Sequence, residues 1–103
     1  MARIKIAWSI EAKQDLVDIL QFYNDRNGNP AYSKKLFVKI NRNIRLLAKN
    51  PFLGIRTDDP DIRALITGDY QIIYEVFERL VLVLMIWDNR KDPDDKIIDT
   101  RRK

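Results

Sequence analysis

The sequence predicts an α+β fold: an N-terminal strand, an antiparallel helical hairpin, then a three-stranded antiparallel meander, giving a four-stranded sheet. Three observations predict it. Residues 3–8 alternate Ile4, Ile6 and Trp8 with Arg3, Lys5 and Ala7, the period of a half-buried strand. Two later segments carry apolar residues at helical spacing, separated only by Asn27-Gly28-Asn29-Pro30. Residues 62–87 then hold three apolar runs divided by Gly68-Asp69 and Glu78-Arg79.

The elements follow in order. Ser9 offers a hydroxyl to the free backbone N–H groups of a helix start, and Glu11 places negative charge in its first turn. Ala12, Leu16, Ile19, Leu20 and Tyr23 form one apolar flank, and Gly28 supplies the positive φ that closes the helix. Asn29 as cap and Pro30 in the first turn restart a second helix. Its stripe is Tyr32, Leu36, Ile40, Ile44 and Leu47, and Pro51 stops it. Residues 52–61, with Gly54 and Pro60, read as a loop. Strands are predicted over 62–67, 70–77 and 80–87. The last is apolar at consecutive positions, which predicts a central strand covered on both faces. Tyr70 and Tyr74 share a face with Ile72 and Val76, and both are expected in the core, as are Trp8 and Trp87. With both helices on one face, the other face of the sheet is expected to stay partly open, a natural place for a ligand.

Composition narrows the chemistry. The chain has 103 residues, 46% of them hydrophobic, so one packed domain is expected, over 1–93, followed by a polar C-terminal tail over 94–103. Ile97 and Ile98 favour some docking of that tail. With no Cys there is no disulfide framework and no thiol nucleophile; with no His, the usual base near neutral pH is missing. Catalysis, if any, falls to Arg, Lys, Tyr and carboxylates. The acidic runs Asp58, Asp59, Asp61 and Asp92, Asp94, Asp95 lack the ordered spacing of a cation loop, so neither metal nor cofactor is expected. The longest apolar run, residues 80–87, is far short of the ~20 residues that cross a membrane. MARIKIAWS lacks the apolar centre of a signal peptide, and a soluble, cytoplasmic protein is expected.

Charge is unevenly placed. The formal net charge is +4. Residues 30–50 contain Lys34, Lys35, Lys39, Arg42, Arg45 and Lys49 and no acidic residue, so all 15 Asp and Glu lie elsewhere. Two readings remain open for this face: ordinary solvation, or contact with nucleic acid or an acidic partner, with Lys35, Lys39, Arg42 and Lys49 as the binding candidates.

Four stretches, in order, resemble one family: WSIEAKQDLVDILQFY (8–23), LLAKNPFLG (46–54), IRALITGDYQIIYEV (62–76) and VLVLMIWDNR (81–90). Together they are similar to the RelE/ParE superfamily, toxins of type II toxin–antitoxin modules. The resemblance implies the fold above, a cognate antitoxin that wraps the toxin, and one of two actions. ParE-like members poison DNA gyrase and RelE-like members cut mRNA in the ribosomal A site; a non-toxic antitoxin-binding module is a third possibility. Matching the nuclease pattern puts Arg63, Arg90 and Arg56 forward as candidate catalytic residues. Arginine suits phosphate because its fork meets two oxygens at once, but its high pKa makes it a poor proton donor. The segment after the last strand, Asp88-Asn89-Arg90-Lys91, lacks the His or Tyr acid of RNA-cutting relatives. The PFLG turn and the first-helix pattern lean to the ParE side, so gyrase inhibition is the leading expectation and ribosome-dependent cleavage the alternative.

Overall fold

Ser9 marks the first boundary of the chain. Its backbone is extended (φ −67°, ψ 159°), its Oγ accepts from Ala12 N at 3.0 Å, and its own N–H ends the preceding strand by donating to Val83 O at 2.9 Å. Such a cap stabilises a helix by about 1 kcal/mol. In the computed structural model, which describes residues 4–91 with Lys96, Ile98 and Arg101, the order is β1 (Lys5–Trp8), α1 (Ile10–Asn27), α2 (Ala31–Leu46), β2 (Ile55–Arg56), β3 (Ile62–Thr67), β4 (Tyr70–Phe77) and β5 (Leu80–Asp88). Arg3, Asp92, Asp94, Asp95 and Ile97, and with them most of the expected tail, lie outside the described residues.

Gly28 ends α1 in the left-handed region (φ 72°), with its N–H on Asn24 O. Between the helices the expected cap shifts by one residue. Pro30 occupies the cap position and α2 begins at Ala31, while Asn29 Oδ1 accepts from Ala31 N at 3.0 Å. Asparagine thus serves the helix start from just outside it, as an Asx turn does. Ser33 Oγ bonds Asn24 Oδ1 and Pro30 O, tying α2 back to α1.

The sheet has five strands, in the order β1-β5-β4-β3-β2, where the sequence predicts four. The extra strand is β2, with Ile55 opposite Ala64 and Arg56 opposite Arg63. Two residues carry no periodicity, so nothing in the local pattern separates this strand from a loop. β1 runs parallel to β5 (Lys5 opposite Leu80, Trp8 opposite Val83), and β3, β4 and β5 form the antiparallel meander.

β5 lies between β1 and β4 and is buried on both sides, as its apolar run predicts. A bulge makes this possible. Ile73 faces Met85 and Tyr74 faces Val83, leaving Leu84 without a partner. Val83 and Ile86 therefore pack under the helices with Leu16, Ile40 and Ile72, whereas Leu84 and Met85 both join Ile62, Ala64 and Ile73 on the far face. That face is not the open one expected. Five of its residues are at most 3% exposed, and Ile98 packs against it, because two consecutive apolar side chains at the bulge leave it too hydrophobic to stay wet.

Tyr70 and Tyr74 are both in the core, while Trp8 and Trp87 pack at its margin, half-buried. Tyr74 is fully buried; its hydroxyl donates to Pro51 O at 2.8 Å and accepts from Gly54 N at 2.9 Å. One side chain thus fixes the segment between α2 and β2. Gly54 sits so close that an added Cβ would lie 2.7 Å from Tyr74 Oη and 2.9 Å from Ala64 O.

Tyr74→Phe strands the Gly54 N–H and is expected to lower stability by about 1–3 kcal/mol, read as a lower urea midpoint with unchanged slope. Gly54→Ala must displace backbone as well as the hydroxyl and is expected to lose at least as much; a midpoint equal to wild type in both variants would contradict this packing.

Candidate functional site

A groove of about 570 Å³ opens where β1 stops and the outer edge of β5 continues alone beside α1. α1 contributes Asp15, Asp18, Ile19, Phe22 and Arg26 to its wall; the end of β5 and the residues after it contribute Ile86, Trp87, Asp88, Arg90 and Lys91. Helical spacing explains the α1 wall, because 15, 18, 22 and 26 follow one another at i, i+3 and i+4.

The uncovered strand edge is closed at its start by two side chains. Asp15 Oδ2 accepts from Ile86 N at 3.0 Å, and Arg101 Nη1 donates to Leu84 O at 2.9 Å and to Asp15 Oδ2 at 2.8 Å. The bulge leaves the carbonyls of Val83 and Leu84 both on this edge; Ser9 N takes the first and Arg101 the second. Asp15 holds the Arg101 guanidinium still more firmly protonated than usual. This is edge protection by side chains, which keeps a strand from pairing with another chain.

Tyr70, Asp88 and Arg90 of the groove lining join Tyr23 in a cluster of two tyrosines, one arginine and one carboxylate. Arg90 grips Asp88 with two arms, Nε to Oδ1 and Nη2 to Oδ2, both at 2.9 Å. The same Nη2 donates to Tyr23 Oη at 3.1 Å, and Tyr70 Oη donates to Tyr23 Oη at 3.2 Å. Each effect on proton affinity follows. The bond from Tyr70, and then Arg90, lowers the Tyr23 pKa below the ordinary 10.0. Burial, and then its bond to Tyr23, raises that of Tyr70. The hydrogen bond from Arg90 lowers that of Asp88, and Asp88 raises that of Arg90 in return. The arrangement holds an anionic Asp88 against Arg90 and makes Tyr23 an acceptor with two donors. Burial likewise raises the Tyr74 pKa.

The expected site residues do not gather in one place. Arg63 serves the loop after α2: its Nη1 donates to Gly54 O at 2.9 Å and Phe52 O at 3.2 Å, and its guanidinium lies 4.9 Å from the Phe52 ring centre. Arg63 lies across from Tyr74, whereas Arg90 bonds at Tyr70. Those tyrosines are four residues, or about 13 Å, apart along β4. Arg56 is exposed on β2, directly opposite Arg63. Lys35, Lys39 and Arg42 lie exposed on α2 and Lys49 in the turn after it; Lys39 also leans over the β3–β4 turn, where its Nζ would be 3.1 Å from a Cβ at Gly68. Among the described residues none of the α2 cations has an ion-pair partner, since the salt bridges are Arg90–Asp88, Arg101–Glu11 and Arg101–Asp15. Like charges at Lys35–Lys39, Lys39–Arg42 and Arg42–Arg45 each destabilise an isolated helix by about 0.2–0.5 kcal/mol.

Sequence reasoning missed Asp88, Asp15 and Arg101 as members of the groove and Tyr23 as a partner of Arg90. Tyr23 reads as a stripe residue and is one, at 6% exposure; only the fold brings its hydroxyl to Arg90, 67 residues on. Asp15 at the margin of the α1 stripe was the available signal, a carboxylate one position before buried Leu16.

Comparison with known proteins bears on this geometry. A family model described as the ParE toxin of the type II toxin–antitoxin system parDE matches residues 6–93. Among solved structures, the chromosomal ParDE toxin–antitoxin system from P. aeruginosa aligns with TM-score 0.75 and 20% identity, covering 85% of this chain and 98% of that one. TrmO from P. aeruginosa aligns with TM-score 0.46 and 16% identity, over 84% of this chain but 33% of its own, too weak a likeness to carry an argument. No curated protein sequence matches.

The hydroxyl cluster predicts a titration. A tyrosinate transition below that of free tyrosine is expected by ultraviolet absorbance; Tyr23→Phe removes it, and Arg90→Ala or Tyr70→Phe moves it upward, because each takes away a donor that stabilises the Tyr23 anion. A transition unmoved by all three would show that the cluster does not form in solution.

Proposed function

Because this chain belongs to the ParE toxins of type II toxin–antitoxin systems, with an antitoxin partner implied, we propose that it acts by binding and inhibiting DNA gyrase rather than by cutting RNA. The observation that carries this reading is the engagement of Arg63 and Arg90. RNA cleavage needs cations free to meet a phosphate, a base for the 2′-hydroxyl and an acid for the leaving oxygen. Arg63 is bound to backbone carbonyls, and Arg90 has two arms on Asp88. The hydroxyls of Tyr23, Tyr70 and Tyr74 are all hydrogen-bonded within the fold. The chain contains no His to replace them.

What the groove offers instead is a contact surface. Phe22 is 56% exposed, Arg26 and Lys91 stand at the rim, and the Arg90 side chain is still half exposed while Asp88 sets its direction. A held guanidinium beside exposed aromatic surface suits protein recognition, where arginine and aromatic anchors dominate. In this reading Arg90 is a binding residue, Arg63 a positioning residue for the loop after α2, and Arg56 an exposed contact candidate. No helix among the described residues is long and apolar enough to cross a membrane.

Purified protein is expected to inhibit gyrase supercoiling and to raise the yield of cleaved DNA, and Arg90→Ala to weaken inhibition about tenfold, the loss of one held charge contact. Arg63→Lys, which keeps the charge but not the fork, is expected to lower thermal stability more than potency. Cleavage of mRNA on ribosomes with gyrase unaffected would overturn the proposal in favour of the ribonuclease reading; no effect on either target would favour the non-toxic module.

A further inference from the structure

The two margins of the sheet are finished differently. Where β1 stops, Asp15 and Arg101 seal the β5 edge. At the other margin β2 is the last strand, with no strand beside it among the described residues, and Ile55 and Arg56 are both exposed. An outermost strand turns the N–H and C=O groups of alternate residues away from its sheet, where they can pair with another chain. Ile55 is 59% exposed, and the turn leading into it adds Phe52 at 58% and Leu53 at 44%. Together these side chains offer apolar surface on the order of 300 Å², the size of patch that marks an interaction site.

Charge changes sign across this strand. Lys49 precedes it, Asp58 and Asp61 follow it, and all three are exposed. Among the described residues none of them is in a salt bridge. A patch that is apolar at its centre, cationic at one end and anionic at the other repels part of any partner of a single charge sign. Turned through a half-circle it complements itself, which is what a two-fold interface requires. Register narrows the arrangement further. Opposite residues of an antiparallel pair share a face, so Ile55 lies on the far face with Ala64, and Arg56 lies on the helix side with Arg63 and Tyr74. Pairing β2 with itself must then set Ile55 on Ile55 or Arg56 on Arg56. The second opposes like charges. The first puts apolar side chains on the axis, and by residue count it brings Lys49 of one copy, six before Ile55, to the end where Asp61 of the other, six after, is found.

We infer that this chain self-associates into a two-fold dimer through β2, with Ile55 on the axis, Phe52 and Leu53 packed around it, and Lys49 of each copy facing Asp61 of the other. The paired patches bury about 600 Å² of apolar surface, and with their polar rim about 1,000–1,200 Å², the low end for a specific interface. Such a dimer is weak and reversible. β2 lies three strands from β5, about 14 Å across the sheet. Dimerisation therefore leaves the groove beside Arg90 open, and the inference stands whichever target the protein inhibits.

The test is sedimentation velocity of the full chain from about 2 to 200 µM. A monomer–dimer equilibrium is expected, half-associated on the order of 30 µM. Ile55→Lys sets two like charges on the axis and is expected to weaken association at least about tenfold, with far-UV circular dichroism unchanged because the side chain is exposed. Val17→Lys, at an exposed apolar position on α1, leaves association unchanged. Lys49→Glu and Asp61→Lys are each expected to weaken it about fivefold. An equimolar mixture of those two variants restores it, because unlike copies then meet opposite charges at both ends. A monomer throughout the range would overturn the inference. So would growth beyond a dimer, full association of Ile55→Lys, an equal loss in Val17→Lys, or no recovery in the mixture. None of these outcomes touches the gyrase assay.

Discussion

The unpaired Leu84 on β5 is the constraint on which most of this structure turns. It shifts the ladder by one residue, so Val83 and Ile86 face the helices while Leu84 and Met85 both face the other way. A strand so built must be covered on both sides, and Ile98 joins the residues that cover the far one. The same shift presents the carbonyls of Val83 and Leu84 together on the outer edge, where Ser9 and Arg101 meet them. Helix start, strand edge and C-terminal segment are coupled through a single irregularity.

Three arginines serve here as internal structure. Arg63 closes the loop after α2, Arg101 seals the β5 edge with Asp15, and Arg90 joins Asp88 to the tyrosine pair. A guanidinium has five donors in a fixed fork, which lets it satisfy several carbonyls and carboxylates whose positions the fold already sets. Charge counted along the sequence therefore overstates what this chain offers to a ligand. The free positive charge is concentrated on α2, whose cations have no ion-pair partner among the described residues.

Much of the fold was legible because its signals are local. Ser9 and Gly28 bound α1 as their chemistry requires, and the Gly68 turn (φ 59°) separates β3 from β4. Two features were illegible for definite reasons. β2 is two residues long, and the loop before it is held by Tyr74 and Arg63 from further along the chain. The far face is expected to stay partly open because both helices pack on the other one, and periodicity in β5 gives no sign of the bulge that makes that face too apolar for water. As for the site, Arg90 was visible as a cation after the last strand, but its partners were not. Tyr23 and Asp88 look like a core residue and a turn residue until the chain is folded.

The amino-acid pattern alone determined the element types and their order, the basic face of α2, and the want of any His or Cys with which to do chemistry. These depend on near neighbours in the chain, whose spacing is read directly. Tertiary structure decided which arginines are free, which hydroxyl is the acceptor, and where the sheet edge is left open. Those depend on groups 60 to 90 residues apart, such as Tyr23 with Arg90 and Asp15 with Arg101 — distances along the chain over which periodicity carries no information.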